Sequence, residues 1–326
     1  MKKALIFDCD NTLWQGVFGE GKITVNHEMV SEIKFFAQKG VIIGLCSKNN
    51  YEDIDSLLTD GIGLMQFVSA YRINWKDKAS NLKEIAEELN IGLDSMVFVD
   101  DSDFEVNLIR ETLPEVLAIY PFQLMTTVLE HFDLSGDLTK TQQYKENYQR
   151  TKAKEQFTNI DEYLTSLDMI LTIKLNEGAH IKRIAELTNK TNQFNLTTLR
   201  YTQEDIVDMM SWCYIYSLSV KDKFGDSGIT GVCIIKANRI DAFLLSCRIL
   251  GRNIEYAFLD YVINHVKNFG YQALMASYSP TAKNKQTEKF YANIGFECID
   301  VSDERTWFSL IFENYKYKPP QYFKYE

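Results

Sequence analysis

The sequence has few histidines and no cysteines at metal-binding spacing. Its four histidines form no HExxH pattern, and its six cysteines are scattered without a CxxC pair. Zinc sites of the histidine and cysteine type use ligands grouped at such spacings. The pattern argues against a zinc site of this type and against a disulfide framework, and it predicts reduced thiols.

Long apolar runs and an excess of positive charge are also missing. No window approaches the ~20 apolar residues of a membrane span, and the apolar run in MKKALIFDCD is shorter than a signal-peptide core. The formal net charge of −10 offers no field that attracts a polyanion. We therefore expect a cytoplasmic protein that binds neither nucleic acid nor a membrane. The basic tail YKYKPPQYFKYE is expected to be a solvated terminus.

The length of 326 residues predicts two domains. Residues 1–125 alternate short apolar runs with amphipathic helical stretches, a pattern typical of a doubly wound, Rossmann-like parallel sheet covered on both faces. Residues 126–165 are polar and predict a mainly helical linker. Residues 166–326 contain consecutive turn-linked strands and helices, which indicate an α+β domain with a mixed sheet.

Two aspartates end the first apolar run, in KALIFDCD. Asp8 and Asp10 point to one face if the extended geometry persists, because side chains alternate along a strand. Two carboxylates in one place repel unless a cation neutralises them, and Mg²⁺ prefers oxygen ligands. A carboxylate can also attack phosphorus, while a second one protonates the leaving oxygen and then activates water.

Other polar side chains follow later strands. Ser47 ends the second strand, and a lysine of INWKDKASNLKEIA can reach the same edge, with Lys78 preferred over Lys76. The strand SMVFV ends on Asp100 and Asp101. Hydroxyl, ammonium and carboxylate groups at the carboxyl edge of one sheet would serve a transferring phosphoryl group and its metal. The alternative is that the acids only cap turns.

The order DxDxT, serine, lysine, acidic pair resembles the haloacid dehalogenase superfamily of phosphotransferases. The resemblance implies that Asp8 is the nucleophile, Asp10 the general acid and base, and Ser47 and Lys78 phosphate stabilisers. The Mg²⁺ ligands that it implies are Asp8, Asp10, Asp101 and Asp100. The gaps between these motifs have no room for a lid domain, so water must be excluded by a macromolecular surface or by the second domain.

Longer segments of the sequence carry a closer resemblance. They are DNTLWQGVFGEG, CSKNN, INW followed by Lys78, LNIGLDSMVFVDDSDFE, LTNKTNQFNLTTLRYT, DKFGDSGITGV and SCRILGRNIE. Together they span nearly the whole chain and resemble the FkbH-like family. The resemblance implies a phosphatase coupled to acyl transfer: a small phosphorylated three-carbon substrate of the phosphoglyceryl type is dephosphorylated, and its glyceryl group is loaded on an acyl carrier protein thiol.

Such a transfer would benefit from an enzyme thiol as a relay. Cys46, beside Ser47, is the first candidate and Cys247 is the second, although free cysteines are commonly buried apolar residues. Cys9 lies between the two aspartates and is expected to point to the opposite face and pack in the core.

In the second domain the strand DAFLLSC is followed by RILGRN and a long helix, and then by ALMASYS and KFYANIGFE. This order resembles the acyl-coenzyme A acetyltransferase fold of the GNAT type. That fold's pyrophosphate loop is similar to Arg248–Asn253 here, which implies cofactor contacts from Arg248, Gly251 and Arg252, although Asn253 replaces a small residue. Three interpretations stay open: the domain grips the phosphopantetheine arm of a carrier, it is an N- or O-acyltransferase that uses acyl-coenzyme A, or it is a scaffold. The first domain would be vestigial or regulatory in the second interpretation and a simple phosphatase in the third.

Two further segments have open interpretations. The run TNKTNQFNLTT is rich in amides and hydroxyls, so it either binds a polar substrate or wraps a helix end with local hydrogen bonds. The stretch DKFGDSG is either a site loop or, slightly favoured, a hairpin turn.

Overall fold

The computed structural model describes residues 1–139 and 141–326. It forms two compact units, Met1–Lys152 and Ala153–Glu326. The predicted linker range of 126–165 includes the boundary between these units. Among the residues that the structure describes, no helix has the length and apolar character needed to cross a membrane.

The first unit is built on seven strands. In chain order they are β1 (Ala4–Phe7), β2 (Trp14–Gln15), β3 (Thr24–Val25), β4 (Ile42–Ser47), β5 (Val68–Ile73), β6 (Met96–Val99) and β7 (Leu117–Ile119). Five of them form a parallel sheet in the order β5-β4-β1-β6-β7. The chain order reverses on either side of β1, and ligands of such sheets bind at the carboxyl edge beside this reversal. The predicted doubly wound parallel sheet is confirmed.

Helices cover this sheet. They are α1 (His27–Gln38), α2 (Tyr51–Ser56, continued by a π-helical turn at Leu57–Gly61), α3 (Lys78–Glu88), α4 (Asp103–Thr112), α5 (Leu124–His131) and α6 (Thr139–Lys154), the last of which crosses the unit boundary. Side-chain caps start three of them, since Asn26, Asp77 and Ser102 accept backbone N–H groups at the first turns of α1, α3 and α4. All four residues of β1 are buried, as expected for a strand covered on both faces.

A short hairpin of β2 and β3 follows the first strand of the sheet, and the sequence did not predict it. Trp14 pairs with Val25, and Gln15 pairs with Thr24. Asn11 and Gly16 have positive φ values of 53° and 98°, which turn the chain sharply after β1. The hairpin therefore begins directly beside the aspartates that end β1.

The second unit has a mixed eight-stranded sheet. Its elements are α7 (Ile160–Ser166), β8 (Met169–Leu175), α8 (Ile181–Lys190), α9 (Gln203–Met209), β9 (Tyr214–Asp222), β10 (Gly225–Lys236), β11 (Arg239–Leu245), α10 (Ile254–Val266), β12 (Ala273–Tyr278), α11 (Phe290–Asn293), β13 (Glu297–Val301), β14 (Thr306–Ile311) and β15 (Phe323–Tyr325). The strand order is β13-β14-β12-β11-β10-β9-β8-β15, with parallel pairing at β11–β12 and β8–β15. The predicted α+β domain with a mixed sheet is confirmed.

In the second unit, one segment contradicts its sequence prediction and another agrees with it. The interpretation of the tail as a solvated terminus is wrong, because Phe323–Tyr325 pairs in parallel with the start of β8 and Phe323 is buried. The chain between β9 and β10 forms the hairpin turn that was favoured for DKFGDSG. There Asp222 Oδ1 accepts hydrogen bonds from the backbone N–H groups of Phe224 and Gly225.

Candidate active site

Three neighbouring strands bring polar side chains to one edge of the parallel sheet. Asp8 directly follows β1, Ser47 ends β4, and Asp100 directly follows β6. Backbone hydrogen bonds continue the ladder to this edge, because the Asp8 N–H donates to Val99 and the Asp100 N–H donates to Ile119. The predicted residues therefore meet where the strand order reverses.

Lys78 inserts its ammonium group between two of these carboxylates. It is the first residue of α3, whose start is capped by Asp77. Its Nζ lies 2.7 Å from Asp8 Oδ1 and 2.6 Å from Asp100 Oδ2, and all three side chains are buried. Lys76, the alternative, instead pairs with Glu84 at 3.3 Å on the surface. The structure therefore places Lys78, and not Lys76, among the acids.

Asp101 joins the two buried acids to form a cluster suited to a cation. One carboxylate oxygen from each of Asp8, Asp100 and Asp101 lies within 4.8 Å of the others, and Asp101 is exposed while its partners are buried. Three carboxylates against one ammonium leave an excess of two negative charges, which a divalent ion would balance. Oxygen ligands of this kind fit Mg²⁺.

Burial and mutual repulsion shift the titration of the acidic cluster. Burial raises the pKa of the Asp8 carboxyl, an effect that Lys78 opposes and Asp100 reinforces. Burial likewise raises the pKa of Asp100, against the pull of Lys78. Burial disfavours the Lys78 ammonium, but the two carboxylates outweigh it and hold the Lys78 pKa above its ordinary value. A cation added beside these acids would favour their ionised forms.

Asp10 lies in a separate hydrogen-bond network. Its Oδ1 accepts from the indole Nε1 of Trp14 at 2.7 Å and from the backbone N of Phe18 at 3.0 Å. Its Oδ2 accepts from Asn49 Nδ2 at 3.0 Å, and that amide also donates to Ser47 Oγ at 3.1 Å. Asp10 is therefore fixed by the β2–β3 hairpin and by the loop after β4, outside the three-carboxylate cluster.

Trp14, Phe18 and Asn49 were missed as site residues by reasoning from the sequence. Asn49 and Trp14 lie in the segments CSKNN and DNTLW, but the sequence pattern assigns neither residue a role in the site. The neighbouring Lys48 forms an ion pair with Glu105 of α4 at 2.7 Å. The loop after β4 thus contributes a hydroxyl at Ser47, an ion pair at Lys48 and a bridging amide at Asn49.

The candidate relay thiol of Cys46 is not accessible. Cys46 is fully buried and packs in a core cluster with Ala79 and Leu82. Burial raises the pKa of this thiol far above its ordinary value, which disfavours a nucleophilic thiolate. Cys9 is also buried, in the core cluster on the other face of the sheet, whereas Cys247 in the second unit is exposed. Burial therefore argues against Cys46 as a relay.

The predicted phosphate loop of the second unit already has partners for its arginines. Arg252 is buried and donates to Asp222 Oδ2 at 3.0 Å and to the backbone oxygen of Arg248 at 2.9 Å. Arg248 donates to Ser246 Oγ at 3.3 Å. Gly251 is exposed, with a positive φ of 77° and open space where a Cβ would lie. Arg252 therefore joins this loop to the β9–β10 turn through Asp222. Gly251 is the exposed residue of the loop.

Some solved protein structures are similar to parts of this chain. No family model matches, and no curated protein matches. The structure is similar to the N-terminal part of the protein BF1531 from Bacteroides fragilis, described as containing a phosphatase domain complexed with Mg, at 36% identity and a TM-score of 0.35. That match covers 36% of this chain and 35% of the other, so this chain spans only about a third of that protein's solved length.

Other similar structures are acetyltransferases. One is the N-acetyltransferase from Staphylococcus aureus Mu50, at 15% identity and a TM-score of 0.33, covering 44% of this chain and 99% of that one. Another is the ribosomal-protein-S18-alanine N-acetyltransferase from Escherichia coli, at 11% identity and a TM-score of 0.34, covering 45% of this chain and 99% of that one.

Proposed function

We propose that the first unit is a magnesium-dependent phosphotransferase of the haloacid dehalogenase type, with Asp8 as the nucleophile. The observation that carries the proposal is the cluster of Asp8, Asp100 and Asp101 around the Lys78 ammonium, at the reversal of strand order. Buried acids with raised pKa values next to a buried cation are typical of functional sites. A purely structural ion pair would not need the third, exposed carboxylate of Asp101.

Each side chain has a role that follows from its position. An oxygen of Asp8 attacks the phosphorus of a phosphate ester, and the bond to the leaving oxygen breaks as that oxygen takes a proton from Asp10. Asp10 then removes a proton from water, which attacks the phosphorus, releases phosphate and restores the Asp8 carboxylate. Lys78 and Ser47 offer an ammonium and a hydroxyl to the transferring group. Mg²⁺ held by Asp8, Asp100 and Asp101 would supply further charge neutralisation.

The hydrogen bonds of Asp10 support its role as acid and base. Its carboxylate accepts from Trp14, Phe18 and Asn49, so its position is fixed without a charged partner in those three bonds. A general acid must lie within hydrogen-bond reach of the leaving oxygen, and such anchoring maintains that geometry.

The substrate class comes from the resemblance to the FkbH-like family. We propose a phosphoglyceryl-type substrate that carries a phosphate ester and an acyl phosphate. The phosphate ester is hydrolysed at the Asp8 site. The phosphopantetheine thiol of an acyl carrier protein takes the glyceryl group by attacking the acyl carbon, and the thioester forms as the acyl C–O bond breaks and phosphate leaves with the thiol proton. Since Cys46 is buried, we propose that the acyl group does not pass through this thiol. Cys247, which is exposed, is the remaining candidate relay, and direct transfer to the carrier is the alternative.

Phosphate release tests the first part of the proposal. Wild-type protein should hydrolyse a generic phosphate ester with Mg²⁺ and lose this activity with a chelator. Asp8→Asn should lower the rate by at least about 10³-fold, since the nucleophile is lost. Asp94→Asn, an exposed change in the same unit, is the matched control. Equal activity of Asp8→Asn and the control would show that Asp8 is not the nucleophile.

Intact-protein mass spectrometry tests the acyl transfer. The protein is mixed with Mg²⁺, a system that generates 1,3-bisphosphoglycerate, and a phosphopantetheinylated carrier protein. A glyceryl adduct on the carrier that is lost in Asp8→Asn and retained in Cys46→Ala is the expected result. Phosphate release without any adduct would instead indicate a simple phosphatase with a scaffold domain, and acyl-coenzyme A turnover surviving Asp8→Asn would indicate an acyltransferase.

A further inference from the structure

Two neighbouring strands of the sheet in the second unit, β11 and β12, separate along their length, and another part of the chain lies between them. β11 and β12 run parallel and pair at Arg239 and Met275. Farther along, the three-residue segment Phe194–Leu196, called the inserted segment below, occupies the gap. It belongs to the amide-rich run TNKTNQFNLTT that follows α8. The gap between the strands is therefore filled by the chain itself.

The inserted segment pairs with β11 as a short antiparallel strand. Asn195 forms a bridge with Leu244. The Leu196 N–H donates to the Phe243 carbonyl at 3.1 Å, and the Leu245 N–H donates to the Phe194 carbonyl at 2.9 Å. These are the backbone groups that β11 would offer to any extended chain added along this edge.

The other side of the inserted segment is bound to the chain around the end of β12. The Ser279 N–H donates to the Leu196 carbonyl at 2.8 Å. Asn284, whose side chain is fully buried, donates from Nδ2 to the Asn195 carbonyl at 2.9 Å. The segment thus takes hydrogen bonds from both walls of the gap.

Side-chain packing holds the inserted segment in place. Phe194 and Leu196 belong to the main core cluster of the second unit, and Asn195 is fully buried. Asn195 also donates from Nδ2 to the Thr191 carbonyl and accepts from the Thr198 N–H, which fixes the chain on both flanks. Removing the segment would expose apolar surface and leave several buried polar groups without partners, so the closed arrangement is strongly favoured.

A pantetheine arm is an extended chain with two amides that ends in a thiol. To bind between two separated strands it would need backbone donors and acceptors of the kind supplied here by Phe243, Leu245 and Ser279. We propose that this gap is a strand-addition site filled from within the same chain, so that the second unit does not bind the pantetheine arm of coenzyme A or of a carrier protein between β11 and β12.

The proposal goes beyond the phosphotransferase activity and is independent of it. It favours a scaffold role for the second unit over acyl transfer in this gap. A carrier arm that delivers its thiol to the first unit would then have to be bound elsewhere. If the phosphatase test fails, this conclusion is not affected. If pantetheine is found to bind in the gap, the proposed phosphotransferase activity is not affected.

Hydrogen exchange of the full-length protein tests the proposal. The amides of Leu196, Leu245 and Ser279 should exchange on the order of 10³-fold more slowly than unstructured amides. Their exchange should not change when coenzyme A or pantetheine is added at millimolar concentration. Fast exchange at these amides, or saturable binding of either compound with altered exchange of residues 194–196, would overturn the proposal.

A variant of Asn284 tests the contact that closes the gap. Asn284→Ala removes the donor to the Asn195 carbonyl, so the Leu196 and Ser279 amides should exchange at least about tenfold faster. Asn264→Ala, which removes an exposed asparagine from α10, should leave them unchanged. Equal exchange in both variants would contradict the proposed role of Asn284. If Asn284→Ala does not fold, the wild-type measurement still decides the proposal.

Discussion

The ammonium nitrogen of Lys78 lies 2.7 Å from Oδ1 of Asp8, across 70 positions of sequence. The same nitrogen lies 2.6 Å from Asp100. A single buried cation therefore contacts carboxylates that follow two adjacent strands of the sheet. This arrangement gives the first unit a neutralising partner for its acids before any metal binds.

Replacing Lys78 should affect both stability and activity. Lys78→Met leaves buried carboxylates without their ammonium partner, so at about pH 8 without metal the free energy of unfolding should fall by about 3–5 kcal/mol. The rate of phosphate release should fall by about 10²–10³-fold. Urea unfolding with a chelator and with Mg²⁺ checks the first part, and Mg²⁺ should stabilise the variant more than the wild type. Lys76→Met, an exposed change, is the control; equal stability of the two variants would contradict the prediction.

The indole of Trp14 should matter through Asp10. Trp14→Phe removes the donor at 2.7 Å from Asp10 Oδ1 but keeps most of the buried ring. A hydrogen bond to a charged group contributes about 1.5–3 kcal/mol, so kcat for phosphate release should fall by about 10–100-fold. Trp75→Phe, at an exposed tryptophan, provides the comparison, and the same kcat in both variants would refute the role of Trp14.

The thiols should differ sharply in reactivity. Cys247 and Cys298 are exposed, whereas the other four cysteines are buried: Cys9, Cys46, Cys213 and Cys233. Alkylation of the native protein with iodoacetamide, followed by peptide mass spectrometry, should therefore modify only the two exposed thiols within a time in which unfolded protein reacts at all six. If Cys46 is modified as fast as the two exposed thiols, its thiol is accessible and it is again a candidate relay.

Glu255 should make the stability depend on pH. Burial raises the pKa of its carboxyl, and its Oε2 has no hydrogen-bond partner. The unfolded chain therefore loses this proton at lower pH than the folded protein. The protonated Glu255 carboxyl therefore gives the folded protein its full stability below the pKa that this group has in the unfolded chain. This contribution to the free energy of unfolding is lost as the pH rises through the pKa that the group has in the folded protein.

Glutamine at this position stays neutral and avoids that loss. As the pH rises from about 4 to about 8, the free energy of unfolding of Glu255→Gln should therefore increase relative to that of the wild type. Thermal unfolding at the two pH values measures the change, with the exposed Glu288→Gln as the control. An equal effect of pH on both variants would show that Glu255 does not titrate abnormally.

The edge of the sheet that carries the acids could be predicted because parallel strands end together. Apolar runs located β1, β4 and β6, and the polar residues after them then had to meet: Asp8, Ser47 and Asp100. Alternation along β4 also explains Cys46, since a residue next to Ser47 on a strand points to the opposite face and here enters the core.

Other features depend on the path of loops, which no periodic pattern describes. The bonds from Trp14 and Phe18 to Asp10 arise from the positive φ angles after β1 and from the hairpin that follows. β15 was missed because Phe323–Tyr325 is short and contains a lysine, and its parallel partner β8 lies about 150 positions earlier in the chain. The inserted segment was missed for a similar reason, because its partners on β11 and after β12 are distant in sequence.

The inserted segment also constrains the order in which the chain can fold during synthesis. The contact from Asn284 to Asn195 joins residues 89 positions apart, so Phe194 and Leu196 emerge from the ribosome long before their final neighbours. A domain folds while its chain is being synthesised, and contacts between residues that are far apart in sequence form late. Until β12 has been made, the apolar side chains of this segment have only one wall to pack against. The gap between β11 and β12 can therefore close only after the chain as far as Asn284 has been made.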